Sequence, residues 1–353
     1  MAGRMMTTRA PGRVNVIGDH TDYQGGLVLP MAIQLETRVS VAIGGDRVRL
    51  RSTLFPGEVD VPADGSGGPD GGATDWGRYV AGVVWALAEE GIAPVGIEGE
   101  ISSTVPAGAG LSSSAALEMA VAQALLAAAG AAMEPMVVAR VCQRAEVEGA
   151  GVPCGIMDQA VAALGSPHGA VLIDCRTLQT EQVRLPRSHR LVVIDSMVER
   201  TLAASGYAER RAETDEAVAR LAVSCLRDAT LPMLDALPDT LHRRARHVVT
   251  ENSRVRETVR AMRNGNLEVV GRLLDHSHRS MAVDFGASHP EIDELVGSVR
   301  ALDGVLGARM TGGGFGGTIV ALVAAEHALA TVDAVAPRRA WIAEPSSAAG
   351  MVA

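Results

Sequence analysis

Three glycine-containing segments separate apolar runs of this chain, and their placement limits the fold more than any other feature. The first is GDHTDYQGG at 18–26, between the strand-like runs RVNVI and LVLPM. The second is VPAGAGLSSSAA at 105–116, ahead of an alanine-rich helical run, and the third is TGGGFGG at 311–317, ahead of TIVALVA. Glycine permits backbone conformations that other residues avoid. Each segment therefore predicts a tight loop at the end of a strand or the start of a helix.

The runs between these loops predict an α+β fold with two domains. The 353 residues exceed one ordinary domain, and a hydrophobic fraction of 47% is enough for a large core. Alternating or short apolar runs predict strands at 36–43, 47–54, 95–101, 170–174, 191–195 and 318–324. Helical periodicity predicts helices at 76–90, 113–129, 206–227, 239–262, 267–280 and 291–302. The segment LPRSHR, before the charged amphipathic helices, predicts domains at 1–188 and 189–353.

Charge and cysteine content limit the partners that we expect. The net charge is −9 without a basic run, which disfavours nucleic acid and anionic membranes as partners. No apolar run reaches the length of a membrane span, and the N-terminus lacks the apolar stretch of a signal peptide. The four cysteines show no CxxC spacing and are typical of reduced thiols. We therefore expect a cytoplasmic protein with small-molecule ligands, and a monomer.

The chain contains no lysine, since all 32 basic residues are arginine. This excludes a Walker A loop, a protein kinase with its strand lysine, and Schiff-base chemistry. Any phosphate must be bound by glycine loops, helix ends, arginine and a metal ion.

Segment 105–116 has the features of a phosphate-binding loop. Gly108 and Gly110 provide flexibility, and Ser112 or Ser113 can cap the helix that follows. A helix N-terminus offers free N–H groups and the positive end of the helix dipole. Serine hydroxyls can also ligate Mg²⁺. The alternative is a serine-capped core helix without a ligand.

Two acidic residues lie in apolar company in RAEVEGAGVPCGIMDQAVAALG at 144–165. Glu146 precedes the glycines, and Asp158 lies at the start of an apolar helix. At that position an aspartate either caps the helix or acts as a base. The glycine segment at 312–317 also has two interpretations. It either allows a ligand to approach the backbone closely or forms a tight turn.

Together, these segments resemble the GHMP kinase superfamily. GRVNVIGDHTDYQGGLVLPMAI is similar to the galactokinase signature, while VPCGIMDQ and MTGGGFGG resemble later motifs of that family. SGYAERR and ARHVVTENSRV complete a likeness over about residues 9–323. The resemblance implies a ribosomal-S5-domain-2-like N-terminal domain and a ferredoxin-like C-terminal α/β sandwich. It also implies phosphorylation of galactose at the anomeric C1 hydroxyl, with ATP and Mg²⁺.

The resemblance also implies roles for individual residues. Asp158 matches the family's catalytic aspartate, and Arg13 matches the arginine beside it. The matching sugar-binding residues are Asp19, His20, Asp22, Gly155 and Tyr207. The matching ATP phosphate loop consists of Gly108, Ala109, Gly110, Leu111, Ser112, Ser113 and Ser114. Ser114 and Glu146 match the Mg²⁺ ligands. The residues of the adenine pocket are not assigned, because Trp76 and Trp85 lie in the matching region but either could belong to the core.

The chain departs from the family pattern at three positions. Asp19 stands where the family usually has Glu, Gln24 where it has Asn, and Thr318 where it has Cys. Because Asp19 matches a sugar ligand, two alternatives stay open. One is a kinase of L-arabinose, an amino sugar or a uronic acid, and the other is a sugar sensor that does not phosphorylate. The intact GLSSSAA loop disfavours the sensor.

Overall fold

The computed structural model describes residues 5–71, 74–198 and 203–352. A six-stranded sheet organises the N-terminal half, in the order β13-β1-β3-β6-β4-β5. Its strands are β1 (Met5–Asn15), β3 (Pro30–Ile43), β4 (Arg47–Ser52), β5 (Glu58–Pro62), β6 (Ile97–Ser103) and β13 (Gly350–Met351). Neighbours pair antiparallel except β4 and β6, which run parallel. A small sheet of β2 (Leu27–Val28), β7 (Gly169–Asp174) and β8 (Thr180–Arg184) lies beside it.

Helices bury their apolar faces together with this sheet. They are α1 (Gly77–Glu89), α2 (Ser113–Ala129), α3 (Pro135–Glu148) and α4 (Met157–Leu164). Helix α2 consists mostly of Ala, Leu and Val, and it packs against β1 and β3 as well as α1 and α3. A helix that is apolar on all sides belongs in a core. This packing fixes the position of the N-terminus of α2, where the preceding glycine loop ends.

A second, antiparallel sheet organises the C-terminal half. Its order is β10-β11-β9-β12, from β9 (His189–Asp195), β10 (Val305–Thr311), β11 (Thr318–Ala324) and β12 (Ala340–Ala343). The helices are α5 (Ala203–Leu221), α6 (Asp239–Arg263), α7 (Leu267–Arg279), α8 (Pro290–Arg300) and α9 (Ala328–Ala334). Helices α7 and α8 pack on β10. The α+β class is confirmed. No helix of the described ranges combines the length and apolar character of a membrane span.

Several predicted elements agree with the structure, and others end earlier than predicted. The helix at 113–129 and the strand at 318–324 have the predicted bounds. The strand predicted over 47–54 ends at Ser52, because the Ser52 hydroxyl accepts hydrogen bonds from the amides of Leu54 and Phe55 and forms a turn. The helix predicted over 206–227 ends at Leu221, since Ala222 has a left-handed φ of 53°. Helix α3, which begins at Pro135, was not predicted as a separate element.

The last described residues return to the N-terminal sheet. Strand β13 pairs antiparallel with β1. The backbone amides of Ser346, Ala349 and Val352 donate hydrogen bonds to the carbonyls of Ala32, Ala162 and Thr7, respectively. The division at 188 and 189 stays a prediction, and residues 346–352 lie against the first half of the chain.

Candidate active site

One cavity of about 600 Å³ brings together most of the site residues predicted from the sequence. Those that line it are Arg13, Asp19, His20, Asp22, Gly108, Gly110, Ser112, Ser113, Ser114, Glu146, Gly155, Asp158 and Tyr207. Ala109 and Leu111 belong to the same loop, but their side chains are buried in the core. The structure thus gathers segments from both halves of the chain, while the roles of the individual residues stay predictions.

Asp158 and Arg13 form a bidentate ion pair at the cavity wall. Arg13 Nε and Nη2 each donate to a different carboxylate oxygen of Asp158 at 2.8 Å. Arg13 Nη1 donates to the Gly110 carbonyl, and the Ser112 hydroxyl donates to Asp158 Oδ2. Ile156 is the N-cap of α4, and no side-chain cap bond forms there. The Asp158 side chain therefore faces the cavity and does not cap its helix.

The loop before α2 leaves the helix N-terminus available to a ligand. Gly108 and Gly110 adopt φ of 74° and 79°, which non-glycine residues seldom adopt. Ser112 is the N-cap with a φ of 60°, and its side chain makes no cap hydrogen bond. No acidic residue lies in the first turn. Free amides and the positive dipole end at this point suit phosphate oxygens.

Glu146 lies beside the loop in a buried polar cluster. Its carboxylate accepts hydrogen bonds from Ser114 and from Gln159, whose amide also donates to the fully buried Glu118. Burial raises the pKa of Glu146 to about 6, and the Asp158 charge adds to this shift. The residues described hold no cluster of three or more His, Cys, Asp or Glu for a metal. A hydroxyl and a carboxylate nevertheless fit Mg²⁺ when phosphate oxygens complete its shell.

Asp22 and Gly155 are in direct contact in the cavity wall. A Cβ atom built on Gly155 would lie 1.8 Å from Asp22 Oδ2, so any side chain at position 155 has to displace the Asp22 carboxylate. Asp22 accepts hydrogen bonds from the backbone amides of Tyr23 and Met157. Burial, with the Asp158 charge, raises the pKa of Asp22 to about 6. Asp22 is therefore mostly an ionised acceptor at neutral pH.

His20 is fixed in a strained, buried position. Its φ is 60°, and its ring nitrogens contact the Tyr23 hydroxyl at 2.9 Å and the Gly313 carbonyl at 3.3 Å. The Tyr207 ring lies 5.3 Å away, centroid to centroid. Burial lowers the pKa of His20 to about 3, so the ring is neutral. A neutral ring matches both contacts if Nε2 carries the proton and Nδ1 accepts from Tyr23.

The sequence analysis gave no role in the site to several residues that also line the cavity, namely Tyr79, Gly151, Val152, Pro153, Cys154, Met157 and Ala208. Gly312 and Gly313, from the glycine segment considered for close approach of a ligand, line it as well. All except Tyr79 lie within segments that were recognised, and Tyr79 gave no signal beyond being one of only three tyrosines. Trp76 and Trp85, considered for adenine, are absent from the wall. Trp76 donates to the Pro56 carbonyl at 3.0 Å.

Family profiles match three parts of the chain. The profile of the galactokinase galactose-binding signature matches residues 2–43. The profiles of the GHMP kinases N terminal domain and the GHMP kinases C terminal domain match residues 78–166 and 258–338. Together they include the three glycine-containing segments at 18–26, 105–116 and 311–317.

Solved structures agree with the profiles. The structure of Lactococcus lactis galactokinase complexed with galactose superposes with a TM-score of 0.93 and 33% identity, covering 99% of this chain and 95% of that chain. Mevalonate kinase of Methanococcus jannaschii has a TM-score of 0.70 and 18% identity, with coverage of 98% and 99%. Homoserine kinase of Cytophaga hutchinsonii has a TM-score of 0.65 and 17% identity, with coverage of 99% and 97%. The latter two likenesses show the fold alone. With this fold, the matched signature and an identity of 33% over nearly its full length, the chain belongs to the galactokinase family of the GHMP kinases.

Proposed function

We propose that this protein transfers the γ-phosphoryl group of ATP to the C1 hydroxyl of galactose, forming galactose 1-phosphate. The observation that carries the proposal is the position of Asp158. It shares one cavity with the residues of the galactose-binding signature and with the glycine loop at the N-terminus of α2. A base between a sugar subsite and a phosphate subsite is what phosphoryl transfer to a hydroxyl requires.

Asp22 and the part of the cavity wall around it bind the sugar. Its carboxylate accepts hydrogen bonds from ring hydroxyls, and the bare backbone of Gly155 leaves room for it. His20 and Tyr207 add a buried, uncharged surface next to it. Charged acceptors that are held in place select a polyol by the positions of its hydroxyls.

Asp158 holds the proton that the anomeric hydroxyl loses when it attacks phosphorus. Arg13 orients the carboxylate through two parallel hydrogen bonds, and its third contact fixes the glycine loop. The same guanidinium offsets charge that develops on the phosphoryl oxygens. Positioning and charge neutralisation are the main contributions in this reaction class.

The amides at the start of α2 hold the ATP phosphates, and Ser114 and Glu146 would hold Mg²⁺. When bound, the metal neutralises phosphate charge. Arg13 is the one arginine or lysine among the described cavity-lining residues, so the helix N-terminus and the metal have to offset the remaining phosphate charge. The free thiols of all four cysteines support a reducing, cytoplasmic location, and a monomeric state stays a prediction.

A panel of sugars with product detection by mass spectrometry tests this function. We expect galactose 1-phosphate from galactose, ATP and Mg²⁺, with lower kcat/KM for L-arabinose, galactosamine and galacturonate. Preference for another sugar would reassign the substrate. Binding of galactose without any phosphorylated product would contradict the kinase.

A further inference from the structure

Groups from both halves of the chain hold Asp19, one of the three residues that depart from the family pattern. Asp19 Oδ1 accepts hydrogen bonds from Asn15 Nδ2 at 2.8 Å and from the Gly312 amide at 3.1 Å. Arg309 Nη2 donates to Asp19 Oδ2 and forms an ion pair with it. Asp19 and Arg309 are 290 residues apart in the chain. Their side chains are 2% and 0% exposed, so water does not screen the pair.

These contacts leave Asp19 little capacity for a ligand. Each carboxylate oxygen accepts about two hydrogen bonds. Oδ1 already accepts two, whereas Oδ2 accepts one from Arg309. Since Asp19 lines the cavity, a sugar hydroxyl can use the one remaining lone pair on Oδ2.

Arg309 is committed to this one segment. It lies on β10, and its Nη1 donates to the Val16 carbonyl at 3.2 Å. Among the described residues, Asp19 is the only carboxylate that forms an ion pair with Arg309. The end of the same strand is tied to the same loop, because the Thr311 hydroxyl donates to the Asn15 carbonyl and the Gly313 carbonyl contacts His20. The end of β10 and the residues that follow it therefore hold residues 15–20, which include the start of the segment at 18–26.

We propose that Arg309 is a positioning residue of the sugar subsite. Arg309 holds the side chain of Asp19 so that Asp19 Oδ2 accepts a hydrogen bond from a sugar hydroxyl. This inference rests on the proposed function. It also accounts for a short side chain at position 19, since a carboxylate held on three sides keeps its place without the reach of Glu. Arg309 itself does not touch the sugar.

Arg309→Gln tests the inference through the sugar and nucleotide separately. We expect the dissociation constant for galactose, measured by calorimetry without nucleotide, to rise at least tenfold, while the KM for Mg·ATP stays within twofold. Arg309→Lys keeps the charge, and we expect it to recover part of the loss. In Asp19→Asn/Arg309→Gln, sugar affinity should match that of Asp19→Asn alone within about twofold, because the two residues act as one unit.

Arg300→Gln is the matched control. It removes the ion pair from Arg300 to Asp275, at 2.6 Å, and Asp275 accepts from the Ala308 amide on the same strand. We expect sugar affinity to be unchanged. Folded Arg309→Gln with wild-type sugar affinity, or with equal losses for sugar and ATP, would overturn the inference. If that variant is insoluble, the double variant is compared with Asp19→Asn alone, and a sugar affinity more than about twofold below that of Asp19→Asn overturns the inference. Failure of the wild type to phosphorylate any sugar contradicts the proposed function instead, because binding of the sugar is measured independently.

Discussion

At the residue scale, the contacts of Asp158 separate two explanations for an acidic residue near a helix start. A capping aspartate accepts from amides of its own helix, and asparagine replaces it at little cost. Asp158 instead accepts from the Arg13 and Ser112 side chains. Its carboxylate is therefore tied to the cavity and not to the stability of α4.

Asp158→Asn should lower kcat by about 10² to 10⁴, the usual effect of losing a general base. Sugar and Mg·ATP affinities should stay near wild type, since size and the cavity shape are kept. Steady-state kinetics with binding calorimetry measures both. Asp174→Asn is the control, because Asp174 forms a similar bidentate pair with Arg227 outside the cavity. Activity of Asp158→Asn within tenfold of wild type would contradict the assignment.

Gly155→Ala should weaken sugar binding at least tenfold. The added methyl would lie 1.8 Å from Asp22 Oδ2 and must displace that carboxylate. Gly297→Ala in α8 is the control, because its Cβ meets nothing within 4 Å and alanine favours a helix by up to about 1 kcal/mol. We expect the control to keep its activity and gain slightly in melting temperature. Unchanged galactose affinity in Gly155→Ala would remove Asp22 from the sugar subsite.

The raised pKa of Asp22 predicts pH-dependent sugar binding. Burial, the charges of Asp158 and Asp19, and two opposing backbone amides set this pKa at about 6. Because the folded-state pKa lies above the ordinary value of 3.8, protonated Asp22 stabilises the fold below pH 4, and this contribution is lost as pH rises through 6. The ionised carboxylate, which we propose as the acceptor for the sugar, is lost as pH falls through 6.

Galactose affinity without nucleotide should therefore fall below pH 6, by up to tenfold per pH unit. Calorimetry between pH 5 and 8 measures it, and the Asp22→Asn variant separates the titration of Asp22 from that of Glu146, whose pKa is also about 6. Asp22→Asn should bind weakly and without this pH dependence. A flat profile in the wild type would show that Asp22 is not the titrating acceptor.

At the element scale, α2 and α3 meet at the proposed metal site. Helix α2 contributes Ser114 from its first turn, and α3 contributes Glu146 from its last. The two helices pack together through alanine and valine side chains, so the distance between the ligands depends on the core and not on a mobile loop.

Glu146→Ala and Ser114→Ala should each raise the Mg²⁺ concentration needed for half-maximal rate, about tenfold or more. Sugar binding without nucleotide should hardly change. Mn²⁺ binding in the presence of ATP, followed by electron paramagnetic resonance, gives a readout apart from activity. Glu148→Ala is the control, since Glu148 is exposed two residues further along α3. Equal losses of sugar and metal affinity would instead indicate a structural role for both residues.

At the scale of the whole molecule, the final strand connects the chain's end to its beginning. Strand β13 covers the edge of β1, the strand whose far end contains Arg13. Removing residues 345–353 deletes at least three backbone hydrogen bonds to residues 7, 32 and 162. Each is worth about 0.5–1.5 kcal/mol.

We expect this truncation to lower the melting temperature by about 2–6 °C. Met351→Ala is the control, because its side chain is 52% exposed and the pairing of β13 is made by the backbone. Differential scanning calorimetry compares the three proteins. A truncated protein that melts with the wild type would show that β13 contributes nothing to the sheet.

Local patterns in the sequence determined the features that depend on a few adjacent residues. Gly108 and Gly110 have positive φ, and the apolar run after Ser112 makes a core helix, so the glycine loop and its helix were predictable. The absence of lysine likewise removed whole classes of enzyme. Asp158 was recognised as either a base or a cap, and choosing between them required its contacts.

Only the tertiary structure decided which distant residues share a site. No local pattern shows that Arg309 reaches Asp19, that Gly155 must stay small beside Asp22, or that β13 returns to β1. A buried charge is stabilised by its partner, and a buried amide by its acceptor, wherever along the chain they lie. Those requirements are met by chain folding over hundreds of residues. The sequence thus determined which groups are present, and packing determined which of them act together.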